Sequence, residues 1–444
     1  MMAGPSCNEH ALLLAEAKLE ENFCAHVIPI EINRPRTILS VKKDEFLVFQ
    51  RGSNEVMRVS DTNGDDIPDQ IESVGAKGGN HGMAYNNGFI YISSDSTVWR
   101  WKYDLGDSAV SSERETVVIN IDKDGRGGAP NGHTTRTLIF DNIGRLYISV
   151  GSAGNVDSDS HRSRIRRMTI ADQSLPIDFQ KAEVFADGLR NEVGLAFDKH
   201  GVLWGVENGA DNLKRSDLGG DIHNDNPAEE LNRFPEFFAG SHWGYPECWS
   251  EYLLPKSVGL GRGTQWSWPS FSTPDAVCRE ERIPPELAMQ AHSAPLGITF
   301  YKYASELPAG CSGSFPEFMD GYAFIAFHGS WNRDIPTGYK VVYVKMTDDG
   351  FINSTDPHDL LARDSNDAQW SSGYRPVDVD FDVCGRLLVT SDGSRGGRGS
   401  NVVRISYNNN NTCCGSVFNS ASLPSPHFGS ALIFVASLVA AFFH

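Results

Sequence analysis

Histidine and arginine side chains stand just before or after short apolar runs at several places in the chain. The histidines are His81, His133 and His328, and the arginines are Arg190, Arg333 and Arg375. An imidazole with an ordinary pKa near about 6.5 accepts a proton at neutral pH, and an arginine binds a carboxylate through two parallel hydrogen bonds. Three arginines around one axis repel one another unless an anion neutralises them. The pattern predicts a general base beside a bound polyanion.

One stretch shows how such residues are positioned. Residues 136–140 and 145–150 alternate apolar and polar side chains around a short turn at 141–144, which predicts a β-hairpin. Antiparallel strands fold back, so His133 before the first strand and the polar loop 151–155 after the second lie at the same end of the hairpin. One rim of the fold should therefore carry both.

The same strand–turn–strand unit recurs along the chain. Clear copies are 193–209 and 379–393, and looser ones are 82–95 and 296–300 taken together with 324–330. A unit repeated at intervals of roughly 50 residues or more is typical of a β-propeller, because no unit can bury its apolar face alone. We predict an all-β propeller over residues 25–407, with a large β-sandwich as the alternative.

The predicted rim also carries amides and aromatic rings, which are Asn191, Asn332, Trp243, Trp331 and Tyr374. Each of these residues, taken singly, has a structural interpretation as well. Propeller arginines often bridge blades, and a tryptophan can simply fill the central funnel.

Composition narrows the classes of partner. The chain has 39 basic and 57 acidic residues and a net charge of −18, which argues against a nucleic-acid partner. Its eight cysteines show no CxxC or other metal-ligand spacing, so we expect disulfides. The favoured pair is Cys248 with Cys278, because both flank one long loop rich in Trp and Pro.

The two ends of the chain suggest targeting. Residues 408–444 contain a polar spacer, small residues at 419–421 and an apolar tail at 431–443, which is the layout of a GPI-attachment signal, with an ordinary tail anchor or a truncated membrane span as the alternatives. The N-terminal segment 1–24 shows no apolar signal core, and 11–21 is predicted to be a helix. We therefore expect that the true N-terminus is missing and that the protein is extracellular or on the cell surface. Sequons at Asn353 and Asn410 agree with secretion.

Two charged stretches need separate interpretation. Residues 61–72 place oxygen-bearing side chains at alternating positions around a glycine, as in a calcium-binding loop, although an Asx-rich turn would look the same. Residues 157–167 combine aspartates with four arginines and are predicted to be a solvated loop.

Six motifs in order resemble the pyrroloquinoline quinone (PQQ)-dependent sugar dehydrogenases. They are Gly-His-Thr-Thr-Arg at 132–136, Gly-Leu-Arg-Asn-Glu-Val-Gly-Leu-Ala-Phe at 188–197, Glu-Glu-Leu-Asn at 229–232, His-Trp-Gly-Tyr-Pro at 242–246, His-Gly-Ser-Trp-Asn-Arg at 328–333 and Tyr-Arg-Pro-Val-Asp-Val at 374–379. The resemblance is closest to the sorbosone and fungal pyranose dehydrogenase branch, with the soluble bacterial glucose dehydrogenase more distant. It implies a six-bladed propeller with PQQ over the axial funnel.

The resemblance also assigns roles to residues. It implies that PQQ is held by Arg190, Asn191, Trp331, Asn332, Arg333 and Arg375. It places a calcium ion on main-chain carbonyls of Gly244, Tyr245 and Pro246. His133 matches the general base that takes the anomeric proton of a sugar while C1 loses a hydride and a lactone forms. Electrons would leave to an external acceptor such as a cytochrome, since the chain has no haem motif.

Two positions depart from the bacterial glucose enzyme. Ser152 stands where that enzyme has an aspartate that orients the histidine, and a hydroxyl stabilises an imidazolium less than a carboxylate does. Arg375 is alone where that enzyme has two arginines, with Val377 near the second position.

Two alternatives from other classes remain at this point. A calcium-dependent lactonase would use rim carboxylates and an amide such as Glu207, Asp392, Asp95 and Asn155 as metal ligands. A non-enzymatic cell-surface propeller would bind a ligand without a tight cofactor. Three convergent arginines fit the lactonase poorly, because they would repel the metal.

Overall fold

The computed structural model describes residues 12–122, 132–159, 161–171, 174–365 and 367–408. Six small sheets are arranged around one axis, so the predicted six-bladed β-propeller is confirmed. The innermost strands of successive blades contact one another around the full ring.

Three strands precede the first blade: β1 (Leu12–Leu13), β2 (Ala17–Leu19) and β3 (Phe23–Val27). Blade one contains β4 (Pro35–Lys42), β5 (Glu45–Gln50), β6 (Glu55–Ser60) and β7 (Gln70–Lys77). Blade two contains β8 (Met83–Asn86), β9 (Phe89–Ser93), β10 (Val98–Lys102) and β11 (Glu115–Ile119). Blade three contains β12 (Leu138–Phe140), β13 (Arg145–Val150) and β14 (Arg164–Thr169); β15 (Ile177–Asp178) pairs back onto blade two, and β16 (Glu183–Asp187) completes the blade.

The remaining blades carry a long insertion. Blade four contains β17 (Glu192–Phe197) and β18 (Leu203–Glu207), followed by the hairpin β19 (Lys214–Arg215) and β20 (Gly220–Asp221), then β21 (Glu229–Phe234). The insertion adds β22 (Ser241–His242), β23 (Cys248–Ser250), β24 (Gln265–Ser267) and helix α1 (Asp275–Glu281) before β25 (Leu287–Met289) returns to blade four. Blade five contains β26 (Pro295–Phe300), β27 (Ala323–Phe327), β28 (Lys340–Val344) and β29 (His358–Arg363). Blade six contains β30 (Pro376–Phe381), β31 (Leu387–Asp392) and β32 (Ser400–Tyr407). Short 3-10 helices cover Phe179–Lys181, Ser216–Leu218, Glu236–Phe238 and Glu317–Met319.

The inner hairpins share one turn chemistry. An aspartate opens the turn in blades three, four and six, at Asp141, Asp198 and Asp382. Its carboxylate accepts the backbone N–H groups two and four residues later, at 2.8–3.2 Å. The glycine three residues after each aspartate has φ of +83°, +77° and +72°, a conformation that glycine adopts without steric cost. This local chemistry fixes the register that brings both ends of each hairpin to the rim.

The N-terminal strands close the ring. Strand β3 pairs with β32 in blade six, and β2 pairs with β29 in blade five. A buried cluster that includes Phe23, Phe315 and Phe324 lies where these two blades meet. The closure removes exposed sheet edges that would otherwise template pairing with other chains.

Two local predictions were wrong. Residues 11–21 were expected to form a helix, but β1 and β2 lie within this stretch, because pairing with an open sheet edge outweighs weak helix propensity. Residues 157–167 were expected to be a solvated loop, yet β14 begins at Arg164, and Arg164, Arg166 and Arg167 are buried. These arginines are accommodated by ion pairs with Asp187, Glu183 and Glu236 and by stacking on phenylalanine rings.

The favoured disulfide is confirmed. Cys248 and Cys278 are bonded, and they tie the insertion hairpin β23–β24 to helix α1. A second disulfide joins Cys311 to Cys384 at the face opposite the rim. Among the described residues, no helix has the length and apolar character needed to cross a membrane.

Candidate active site

Strand direction places the predicted site residues at one rim. Each innermost strand starts at this rim, and each second strand ends there. His133, Arg190 and Arg375 lie just before β12, β17 and β30, while Ser152 and His328 follow β13 and β27. The expectation that one rim collects these residues agrees with this arrangement.

His133 is held in one tautomer by the loop that follows β13. Its Nδ1 lies 3.0 Å from the carbonyl oxygen and 3.0 Å from the hydroxyl of Ser152. A carbonyl only accepts hydrogen bonds, so Nδ1 carries the proton and Nε2 is left as the free acceptor. Nε2 has no hydrogen-bond partner among the described residues. This is the form of imidazole that can take a proton from a ligand.

Burial changes the basicity that the sequence suggested. The pKa of His133 is lowered to about 4, first because burial disfavours the charged ring and then because of the positive charge of Arg190. The ordinary value near about 6.5 expected from sequence is therefore wrong for this ring. The imidazole is neutral throughout the physiological range.

Gly151 allows His133 and Asn191 to approach each other. A Cβ atom at this glycine would lie 2.5 Å from Asn191 Oδ1 and 2.7 Å from His133 Cβ, closer than real contacts permit. The absence of a side chain at Gly151 therefore leaves room for the amide and the imidazole to pack against the same face of this residue. The structure brings these two predicted site residues together.

Arg190 is buried and fully engaged by the protein. Its guanidinium donates to the carbonyls of Asn155, Asn208 and Gly209 at 2.7–3.1 Å. It also donates to the side chain of Asn155 at 3.2 Å and forms an ion pair with Asp211 at 3.1 Å. In this conformation Arg190 joins three loops, and its contact with a bound carboxylate stays a prediction.

A cluster of buried carboxylates lies next to the backbone of Arg190. Glu207 accepts the backbone N–H of Arg190 at 2.6 Å. The amide nitrogen of Asn232 lies 3.2–3.4 Å from Glu192, Glu207 and Glu230. Burial raises the pKa of Glu207 well above its ordinary value, and the neighbouring carboxylates add to the shift. Sequence reasoning considered Glu207 only as a metal ligand and did not find this supporting role.

The predicted site residues that follow β27, in the neighbouring blade five, have fewer hydrogen-bond partners. Both side-chain atoms of Asn332 are buried without a hydrogen-bond partner among the described residues. The side chain of Trp331 is 73% exposed. Arg333 donates to Asp225 at 3.2 Å and to the carbonyls of Ala291 and Ile335 at 3.3 Å.

Arg375 keeps its charge unpaired. It donates to the carbonyls of His328 and Gly329 at 3.0 and 2.8 Å and lies over the ring of Tyr339. No carboxylate among the described residues forms an ion pair with it. A buried amide without a partner and an unpaired cation are features that an anionic, hydrogen-bonding ligand would satisfy.

Arg36 is a site residue that sequence reasoning missed. Its guanidinium donates to Asp392 at 2.8 Å and to His81 Nδ1 at 3.1 Å, and His328 Nε2 lies 2.8 Å from the same aspartate. Arg36 is the second residue of β4, so it lies at the rim end of its inner strand, the end at which His133 and Arg190 lie in their own blades. That shared position was the signal that could have found it.

The segment predicted to hold calcium packs beside Arg190. Tyr245 donates its hydroxyl to the carbonyl of Asn155 at 3.1 Å, and its backbone N–H bonds to Gly188. The carbonyl of Gly244 already accepts the N–H of Cys248 at 2.9 Å. The carbonyls of Tyr245 and Pro246 have no partner among the described residues, so the metal role of this segment stays a prediction.

The other proposed metal sites gain no support from the geometry. Asp392 is paired with Arg36 and His328, and Asn155 with Arg190 and Asp211. In loop 61–72, Glu72 is paired with Arg58. Within the parts of the chain that the structure describes, no three His, Cys, Asp or Glu side chains come together as metal ligands.

Comparison with known proteins agrees with these features. A family model described as TrAA12-like matches residues 17–397. A pyrroloquinoline quinone-dependent sugar dehydrogenase of Hypocrea jecorina (strain QM6a) is 30% identical over 338 residues, covering 70% of this chain and 72% of that protein. A pyrroloquinoline quinone-dependent pyranose dehydrogenase of Coprinopsis cinerea is 30% identical over 404 residues, covering 82% of this chain and 51% of that protein. The chain thus spans about half the length of this second relative.

Solved structures agree in fold. A calcium structure of Trichoderma reesei Carbohydrate-Active Enzymes Family AA12 has a TM-score of 0.75 at 27% identity, covering 90% of this chain and 98% of that one. The holo form of the pyranose dehydrogenase PQQ domain from Coprinopsis cinerea has a TM-score of 0.74 at 25% identity, covering 88% and 97%. The fold and these relatives together define a six-bladed propeller enzyme. The chain belongs to the TrAA12-like family of PQQ-dependent sugar dehydrogenases.

Proposed function

We propose that this chain oxidises a reducing sugar, an aldose or an osone, at C1 to the lactone, with PQQ and calcium as its cofactors. The names of its relatives, the holo form of one and the calcium structure of another support the choice of cofactors. The residues of the rim supply the second line of support, because their unmet contacts match the chemistry of PQQ.

The rim fits PQQ because some of its hydrogen-bonding and charged side chains have no partner among the described residues. PQQ carries three carboxylates, and when bound with calcium it supplies a polarised quinone that accepts a hydride. Arg375 offers an unpaired positive charge, and Asn332 offers a buried amide without a partner. Asn191 lies beside His133 at the same rim. Arg190, Arg333 and Trp331 complete the proposed set, with calcium on the carbonyls of the 244–246 segment.

His133 is the proposed general base. Its Nε2 would take the proton of the anomeric hydroxyl as the C1–O bond becomes a carbonyl, and bound PQQ would supply the acceptor for the hydride that C1 loses. Ser152 keeps Nδ1 protonated and so holds Nε2 ready as the acceptor. The two electrons then leave to an external acceptor, for which a cytochrome is the proposed type.

The single observation that carries this proposal is the free, neutral Nε2 of His133 next to Asn191 and Arg190. The test is reconstitution of the purified full chain with PQQ and calcium, followed by absorbance titration and reduction of an artificial dye with a panel of aldoses and osones. We expect stoichiometric, calcium-dependent PQQ binding and sugar-dependent dye reduction. A folded protein that binds no PQQ would refute the proposal.

We also propose that the protein acts outside the cell, attached to its surface through a GPI anchor. Residues 409–444, which carry the predicted signal, lie outside the described residues. The support is the order of polar spacer, small residues and apolar tail in the sequence. Release of the protein from intact cells by a phosphatidylinositol-specific phospholipase tests this, and retention after treatment would count against it.

A further inference from the structure

Three loops meet at the rim where blades six and one adjoin. Loop 31–34 and the turn after β5 are joined by hydrogen bonds from Arg51 N to Arg34 O at 3.0 Å and from Gly52 N to Asn33 O at 3.1 Å. Loop 393–399 packs against the first of these, since a Cβ at Gly397 would lie 3.6 Å from Asn33 Oδ1 and 3.9 Å from Arg34 Cγ. The loops therefore form one continuous surface.

This surface carries four arginines that we call the arginine crescent: Arg34, Arg51, Arg395 and Arg398. Three of them are exposed, and Arg51 is half-buried. None of the four side chains forms a hydrogen bond or ion pair with the described residues. Burial and the nearby charges of Arg36 and Arg34 lower the pKa of Arg51, which shows that like charges lie close together here.

The acidic residues nearby do not neutralise the crescent. Asp392 is within electrostatic reach of Arg51, but it is already paired with Arg36 at 2.8 Å and bonded to His328. Glu31, exposed on the same loop, forms no ion pair among the described residues. In a chain of net charge −18, four arginines without a carboxylate partner among the described residues give this surface a charge opposite to that of the chain as a whole.

The crescent lies beside the mouth of the funnel. Arg398 and Gly399 pack against Gly373 and Tyr374, which directly precede Arg375. His133 lies on blade three, across the axis from blades six and one. A ligand that reaches from the crescent into the funnel would therefore present one end to the proposed base.

We propose that the arginine crescent binds the acidic groups of an anionic saccharide, carboxylated or sulfated, whose reducing end enters the funnel. This inference rests on the proposed function and names its class of substrate. Arginine forks match carboxylate and sulfate oxygens in pairs, and exposed arginines on fixed loops suit a chain that carries repeated acidic groups.

The test uses the full chain loaded with PQQ and calcium, and calorimetric titration with three oligosaccharides of equal length: a galacturonate oligomer, a sulfated oligomer and a neutral glucose oligomer. We expect an acidic oligomer to bind at least about tenfold more tightly than the neutral one, with affinity falling as salt is added. Comparison of the two acidic oligomers shows whether the crescent prefers carboxylate or sulfate groups. Inorganic sulfate is titrated in parallel, and we expect it to bind more weakly than either acidic oligomer.

Two double variants, each of which removes two positive charges, distinguish binding at the crescent from a general effect of net charge. R395S/R398S should weaken acidic-oligomer binding at least about tenfold, because each lost arginine removes charge-assisted hydrogen bonds. K102S/K302S removes two exposed lysines at the opposite face, whose side chains form no ion pair with the residues that the structure describes, and should leave binding unchanged. Equal binding of acidic and neutral oligomers, or equal losses in the two variants, overturns the inference.

PQQ titration of the same variants keeps this test separate from the proposed function. We expect R395S/R398S to bind PQQ as the unchanged chain does. A large loss of PQQ affinity in this variant would assign the crescent to the cofactor and overturn the saccharide inference. A wild-type chain that binds no PQQ would refute the proposed function instead, and the oligosaccharide titration of the unloaded chain would still decide whether the crescent binds acidic sugars.

Discussion

The two sides of the rim treat positive charge differently. On the side of blades three and four, the Arg190 guanidinium is surrounded by protein acceptors and paired with Asp211. On the side of blades six and one, Arg375 and the arginine crescent have no carboxylate partner among the described residues. The same residue type is thus paired as a structural brace at Arg190, and also at Arg36 with Asp392, but has no carboxylate partner at Arg375 and the crescent, where we propose that anions bind. Burial and pairing, rather than residue type, separate the two roles.

The largest expected effect tests the base. H133A should reduce turnover by about 10²–10⁴-fold, because it removes the proton acceptor. PQQ binding should persist, since the neutral ring contributes no charge contact. Dye-reduction kinetics and absorbance titration measure the two quantities. H358A, which removes an imidazole from the outer strand β29, is the control and should keep turnover. Retained turnover in H133A would show that another group accepts the proton.

The two sides of the rim should also differ in how much their arginines stabilise the fold. R190M should lower the free energy of unfolding by about 3–5 kcal/mol, because it leaves Asp211 and several loop carbonyls buried without their partner. R51M should change it by less than about 1 kcal/mol, since Arg51 makes no such contacts. Urea unfolding measures both. Equal losses in the two variants would show that the two sides of the rim do not differ in this way.

A smaller effect is expected at the cofactor. R375S should weaken PQQ binding about tenfold or more by removing the unpaired charge. R375K keeps the positive charge but loses the planar guanidinium, so its affinity for PQQ should lie between that of R375S and that of the unchanged chain. Absorbance titration gives the Kd values, and circular dichroism confirms that both variants are folded. Unchanged affinity in R375S would remove Arg375 from the proposed site.

The smallest effect concerns pH. The base works when unprotonated, and its pKa is lowered to about 4, so kcat/KM should rise with pH through about 4 and then level off. S152D would place a carboxylate beside Nδ1, favour the charged ring and move this acid limb to higher pH. S152N, which adds no charge, is the matched control. A limb near pH 6.5 in the unchanged chain would contradict the burial of the ring.

The repeated hairpins made the fold predictable. Each unit shows its own apolar alternation and turn residues, and the aspartate–glycine pairs at 141–144, 198–201 and 382–385 set the turns by local chemistry. The location of the rim residues could then be predicted as well, because a residue just before an inner strand must lie at the rim end of its blade. His133 and Asn191 were found in this way.

The features that the sequence did not predict share one cause, which is contact between distant parts of the chain. The pKa of His133 depends on burial and on Arg190, 57 positions away in sequence. Arg36 owes its place to Asp392, a residue of the last blade. The arginines of β14 are buried because acidic partners arrive from other strands. No local pattern encodes such partners.

The direction of β32 has a consequence for how the molecule would stand on a surface. This strand begins at Ser400 on the rim and ends at Tyr407, so the chain leaves the propeller at the face opposite the funnel. A tether attached after this strand would hold that opposite face toward the cell and turn the funnel mouth outward. Large polymers in the surrounding medium could then reach the mouth without obstruction by the surface that carries the protein.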